Sequence, residues 1–183
     1  CNRCILLKNG ELKYDGKVKD AIDLHLKTIS DRLVSNKNYD VAQNEITLKN
    51  ISLSNAEIIS GDSFSLKFDF LKMDKNEYTV DITFHLADEY GNLIFVGSTG
   101  KSNRSIRFFN GRIIAECHMP TDLMNEGIYT VSRLLFVKNK GTVLFELNDC
   151  FSFEIKAKSM EGFVSEKELG LVNPKLEWVV KKI

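Results

Sequence analysis

The sequence predicts an all-β protein: an antiparallel β-sandwich, immunoglobulin-like or jelly roll, preceded by a short β-hairpin plus helix. Three observations carry this expectation. Apolar residues recur with a period of two over most of the chain from Ile46 onward, turn signals separate the alternating runs, and no helical interlude comes between them. Such a strand buries one face in a shared core and leaves the other to solvent.

The N-terminal segment is built differently. Cys4 to Lys8 is a short apolar run, Asn9-Gly10 is a tight-turn dipeptide, and Glu11 to Tyr14 return as a second strand before Asp15-Gly16 breaks the hairpin. From Lys17 to about Arg32 the period becomes helical, with Val18, Ala21, Ile22, His25, Leu26 and Ile29 on one face. Residues 1–34 are therefore expected to complete some other domain, being too small to fold alone. Residues 35–44 (SNKNYDVAQN) are polar and without an apolar period, which predicts a linker.

The sandwich is expected over residues 45–183. Its alternating sets are Ile46 and Leu48; Phe64, Leu66, Phe68 and Phe70; Val80, Ile82, Phe84 and Leu86; Ile113, Ala115, Cys117 and Met119; Tyr129 and Val131; and Phe151, Phe153 and Ile155. Turns are expected at Ser60-Gly61-Asp62, Tyr90-Gly91-Asn92, Asn110-Gly111, Asn125-Glu126-Gly127, Asn139-Lys140-Gly141 and Leu147-Asn148-Asp149. The two prolines, Pro120 and Pro174, fall at strand ends or in connections, where a missing N–H does little harm.

Composition narrows the function classes. Of 183 residues, 43% are hydrophobic and 27% charged, the balance of a folded globular chain. Lys and Arg (25) cancel Asp and Glu (25), so the excess positive charge of a nucleic-acid surface is missing and no nucleic-acid partner is expected. No apolar run reaches the roughly 20 residues that span a bilayer. The chain opens at Cys1, in what reads as the middle of a strand, and is expected to be a fragment of a longer protein. Cys1-Asn2-Arg3-Cys4 has redox or half-zinc spacing, but a strand follows it, and Cys117, His118 and Cys150 lack the spacing of further ligands. Ordinary reduced cysteines and no metal are the expectation.

Motifs for catalysis are sparse. Gly100-Lys101-Ser102 spells the end of a phosphate-binding loop, but the glycine required five positions before Gly100 is Phe95, and no helical period follows. The reading is a β-turn. The histidines are His25, His85 and His118, and neither a G-x-S-x-G elbow nor H-E-x-x-H is present. Asp81 and Glu116 are carboxylates that a glycoside hydrolase would need in one groove. Solvated strand faces are the default explanation for such carboxylates on an antiparallel sheet, so no catalytic residue is assigned.

The solvent faces suggest binding. Asp81, Thr83 and His85 share one face of a strand, and strict alternation puts Thr130, Ser132, Leu134 and Phe136 on the outer face of the strand beginning near Tyr129. Polar groups beside an aromatic ring suit a sugar, whose hydroxyls take directional hydrogen bonds while the ring covers apolar carbon. Arg133 would be buried by strict alternation, so it requires a bulge or a partner. The candidate carbohydrate-binding residues are Asp81, Thr83, His85, Ser132, Arg133 and Phe136. The competing expectation is an apolar dimer contact on Leu134 and Phe136.

The opening residues, Cys1-x-Arg3 followed by Ile5, Leu7, Asn9-Gly10-Glu11 and Asp15-Gly16, resemble the last strands of an ABC transporter nucleotide-binding domain, and Val18 to Leu26 resembles its closing helix. Three later pieces are similar to a sandwich appended to such a domain: Ser60-Gly61-Asp62 leading into Phe64–Phe70; Met119-Pro120-x-x-Leu123-x-x-x-Gly127-x-Tyr129-x-Val131; and Gly170-x-Val172-x-Pro174-x-x-Glu177-Trp178. In this order they resemble the ATP-binding subunits of ABC exporters for bacterial surface polysaccharides, the O-antigen exporters of the Wzt type. The resemblance implies a non-enzymatic, carbohydrate-binding domain that recognises a lipid-linked glycan for export. It further implies a homodimer, a transmembrane permease partner, ATP and Mg held by a separate nucleotide-binding domain, and a cytoplasmic location at the inner membrane. The alternatives are a structural dimerisation domain without glycan binding and a carbohydrate-active enzyme.

Overall fold

A computed structural model describes residues 2–8, 10–30, 33–73, 75–101, 106–108, 110–120, 123–157, 170 and 172. The described chain divides into a small unit ending at Leu33 and a larger one beginning at Val34. Cys1, Pro174 and Trp178, singled out in the sequence, lie outside the described residues.

In the small unit, β1 (Cys4–Lys8) pairs antiparallel with β2 (Glu11–Gly16), and α1 (Val18–Ser30) follows. Gly10 takes a φ of 80°, the left-handed turn conformation that glycine adopts at no steric cost. Arg3 forks onto Asp15, and the Tyr14 hydroxyl donates to Asp20 in the first turn of the helix at 3.1 Å. Ala21 is buried, whereas Ile5, Leu7, Leu12 and Ile22 are each at least half exposed. Two short strands and three turns of helix cannot enclose these side chains.

The larger unit is a two-sheet, all-β sandwich. One sheet has the order β10-β6-β4-β3, formed by β3 (Asn36–Gln43), β4 (Ile46–Leu53), β6 (Phe64–Lys72) and β10 (Gly111–Met119). The other has the order β5-β12-β11-β7-β8, formed by β5 (Ile58–Ile59), β7 (Tyr78–Asp88), β8 (Leu93–Ser98), β11 (Gly127–Lys138) and β12 (Thr142–Lys156), with β9 (Ile106–Phe108) also on β7. Except for the short β5–β12 contact, the pairings are antiparallel. Phenylalanines from both sheets meet in the core: Phe70 packs edge-on against Phe136 and Phe145, with ring centroids 5.3 and 5.5 Å apart. Tyr129, near the start of β11, returns its buried hydroxyl to the Asn125 carbonyl at 2.8 Å, a tyrosine corner that pins the strand's entry.

Three expectations are corrected. The polar stretch 35–44 is not a linker: its residues 36–43 form β3, an edge strand paired antiparallel with β4. Burial alternates over its second half, with Tyr39 and Val41 against the core, but the inward set is short and ends on polar Gln43, whose partners lie in another sheet. Gln43 donates to the Glu146 carbonyl at 2.7 Å and accepts from the Glu146 N–H at 2.9 Å, while Lys37 and Tyr39 both donate to the Cys150 carbonyl. This seam closes one edge of the sandwich. The expected turn at Leu147-Asn148-Asp149 is instead an irregularity within β12, with Asp149 at a φ of 46°. Finally, β11 bulges between Val131 and Arg133, placing an extra residue on that strand. The bulge shifts the side-chain phase, so Leu134 and Phe136 are fully buried rather than facing solvent. Phe136 is thus a core residue and leaves the candidate carbohydrate site. An apolar dimer contact on Leu134 and Phe136 loses its basis for the same reason.

Candidate functional site

The outer face of the larger sheet is built by three neighbouring strands. β7 keeps its period of two, sending Val80, Ile82, Phe84 and Leu86 into the core and Asp81, Thr83 and His85 outward. Register then places partners beside them. Thr83 lies between Ser98 of β8 and Leu135 of β11, His85 between Val96 and Arg133, and Asp81 opposite Val137. Five of the six sequence-predicted residues therefore come together on β7 and at the β11 bulge.

Each has a distinct setting. Thr83 donates its hydroxyl to Ser98 at 3.0 Å. Arg133, turned outward by the bulge, donates to Glu146 at 2.8 Å. That hydrogen bond and the positive charge of Arg133 outweigh burial and hold the Glu146 carboxyl below its ordinary value. Ser132, half-buried within the bulge, makes a long 3.4 Å hydrogen bond to the His85 carbonyl. It helps hold β11 to β7 there. Asp81 is only 6% exposed and lies against Gly100, where an added Cβ would come within 2.8 Å of its carboxylate. Gly100 and Lys101 thus belong to the turn leaving β8, where the absence of a Cβ on Gly100 leaves room for the Asp81 carboxylate.

Two recesses adjoin this face. One, of about 330 Å³, is lined by Asp81, Thr83, Ser98, Gly100, Lys101, Val137 and Lys140. The other, of about 390 Å³, opens between the edges of the two sheets. Phe68, Ile82 and Phe84 form apolar lining, Gly97, Ala115 and Cys117 are its small residues, and Ser98, Thr99, Glu116 and His118 contribute polar groups. A Cβ on Gly97 would lie 2.3 Å from the Phe84 ring, so glycine is what lets β8 cross that ring. Asp81 and Glu116, the carboxylates considered for hydrolysis, line different recesses rather than facing one groove. Glu116 is instead engaged by Ser65 and Lys67.

Sequence reasoning missed Ser98, Lys101, Lys140 and Glu146. The Asn139-Lys140-Gly141 turn was legible, but which strand pair it would overhang was not. Among the described residues no group of three or more His, Cys, Asp or Glu is placed to hold a metal ion, and no helix is long and apolar enough to cross a membrane.

Comparison with known proteins places the fold. No family model matches the chain, and no curated protein matches it in sequence. Among solved structures, the C-terminal domain of Wzt superposes with a TM-score of 0.61 at 13% identity, covering 85% of this chain and 95% of that one. This establishes the fold as that of the Wzt C-terminal domain. A DNA-bound alkylpurine DNA glycosylase AlkC from Pseudomonas fluorescens (TM-score 0.40, 17% identity, 62% of this chain and 31% of that chain) and the structural-genomics target SoR45 (0.37, 16%, 71% and 98%) are more distant.

Proposed function

We propose that residues 34–183 are a non-enzymatic polysaccharide-binding domain that recognises a lipid-linked, O-antigen-like surface glycan for an ABC exporter. The observation that carries this reading is the row of polar side chains on β8, β7 and β11, beside a recess, on the fold of the Wzt C-terminal domain. Thr83, His85, Ser98 and Arg133 supply donors and acceptors at sheet spacing, a pattern suited to successive hydroxyls of an extended chain. Val137 adds apolar carbon beside them.

The exporter context comes from the resemblance of residues 1–34 to the end of a nucleotide-binding domain. In this reading ATP and Mg are handled by that separate domain, the subunit acts as a homodimer with a transmembrane permease, and the sandwich works on the cytoplasmic side of the inner membrane. Two copies in one transporter raise avidity, so a shallow, weak site suffices.

The test is an NMR titration of the chain with its host's surface polysaccharide, with an unrelated polysaccharide as control. Saturable shifts confined to the outer face are expected for the host polysaccharide alone. His85→Ala with Arg133→Ala should weaken binding by about tenfold or more while the protein stays folded, since hydrogen bonds to charged groups contribute roughly 1.5–3 kcal/mol. No shift at millimolar repeat concentration would defeat the reading.

A further inference from the structure

The recess beside Asp81 has a charge pattern that a general sugar platform does not require. Lys101, in the turn after β8, and Lys140, in the turn between β11 and β12, line the same 330 Å³ space from separate loops. Asp81 is the acidic residue in that lining. Below the two lysines the wall is polar and fixed: Thr83 and Ser98 are hydrogen-bonded to each other, and the Asp81 carboxylate lies against Gly100. Val137 supplies an apolar patch.

Lys140 carries a second, independent indication. The hairpin between β11 and β12 turns through Asn139 and Lys140, both left-handed, with φ of 50° and 61°. That turn favours Asn-Gly, because the second position is reached by glycine without steric cost. The chain has Asn at the first position but lysine at the second, and places glycine one residue later at Gly141. Asn139 is fixed to β7 by its N–H to the Thr79 carbonyl at 2.8 Å and by its side-chain oxygen, which accepts from the Thr79 N–H at 3.1 Å. The hairpin is therefore held in place with an unfavourable residue whose side chain borders the recess. Backbone strain retained at one position points to a use for that side chain.

We propose that this recess binds an anionic sugar residue, its carboxylate or phosphate between Lys101 and Lys140 and its hydroxyls toward Thr83, Ser98 and Asp81. The proposal rests on the reading of this face as a glycan site and names the class of residue it selects. A recess of this volume lies at the small end of ligand pockets and suits one ring with one charged substituent. Two ammonium groups on separate turns favour a ligand that brings negative charge to both, and binding should weaken with salt.

The test uses the 183-residue chain and three probes followed by NMR: methyl glucuronide, methyl glucose 6-phosphate and neutral methyl glucoside, with the host polysaccharide alongside. At low salt either anionic probe should bind about tenfold tighter than the neutral one, as expected for charge-assisted hydrogen bonds. The preference should shrink at high salt and vanish in Lys101→Gln with Lys140→Gln. The glucuronide and phosphate arms identify which anion the site takes. Lys140→Gly gives a further readout: it relieves the turn, so the melting temperature should hold or rise while the preference for the anionic probe falls. A merely structural Lys140 would leave that preference unchanged. Equal binding of neutral and anionic sugars overturns the proposal while the glycan reading stands. Shifts from no saccharide, host polysaccharide included, overturn both. Saturation by anionic phospholipid vesicles without any saccharide response also overturns both, and assigns the lysines to headgroup docking.

Discussion

β7 and β11 lie side by side in the same sheet and contribute to the same surface, yet they obey different rules. β7 alternates from Val80 to Leu86, so each outward residue is predictable from its neighbours. β11 alternates through Val131, spends an extra residue at the bulge, and resumes in the opposite phase with Leu134 and Phe136 inside. One added residue accomplishes two things at once. It turns Arg133 out beside His85, and it sends two large apolar side chains into the core. The contrast teaches that a binding surface on a sheet is set as much by irregularity in one strand as by pattern in its neighbour.

The largest test of the contrast is Phe136→Ala. If Phe136 is as much a core residue as Phe84, either truncation should cost about 3–5 kcal/mol in denaturant unfolding, the usual range for a buried phenylalanine. A cost below about 1 kcal/mol at Phe136, the scale of an ordinary surface change, would return the ring to the outer face. Deleting Ser132 is the next test, because it makes β11 regular like β7 without altering the inward set. The fold and the β7–β11 register should survive. The loss should be about 1–2 kcal/mol, within the usual range for a single change, because the matching irregularity at Asp149 in β12 is left unopposed. Loss of cross-strand nuclear Overhauser contacts between Leu134 and Phe84 would refute this.

The smallest effect concerns Arg133 and Glu146, which are solvent-accessible and so contribute little to stability. The sign is nevertheless defined. The folded state holds the Glu146 carboxyl below its ordinary 4.5, chiefly through the hydrogen bond from Arg133. The contribution is therefore complete above that value and is lost as pH falls through the folded one. Arg133→Gln should flatten the part of the melting-temperature profile below pH 4.5 that belongs to Glu146. Identical acid limbs in the two proteins would show that the pair contributes nothing to folding.

Much of the fold was legible because burial of one strand face writes a period of two into the residues. Much of what remained hidden depends on pairing partners that are distant in sequence. Residues 36–43 look like a linker because Tyr39 and Gln43 find their acceptors on β12, about which local periodicity is silent. Asn148-Asp149 has turn composition, but the chain continues as a strand through the left-handed Asp149. Arg133 did give a local warning, since strict alternation would have buried a guanidinium. The phase change at Leu134 and Phe136 follows from taking that conflict as a bulge. Lys101 and Lys140 were unreadable as site residues because their meeting depends on the order β11-β7-β8 within the sheet.

The seam between Gln43 and Glu146 has a consequence in time. It joins residues 103 apart, linking an early strand of the sandwich to the last one among the described residues. A chain emerging from the ribosome can pair β3 with β4, and β4 with β6, long before β12 exists. Until then the carbonyls that Lys37, Tyr39 and Gln43 will engage have not been made. The sandwich is therefore sealed only once β12 has been made, and any nascent chain stopped before Glu146 must carry that edge open.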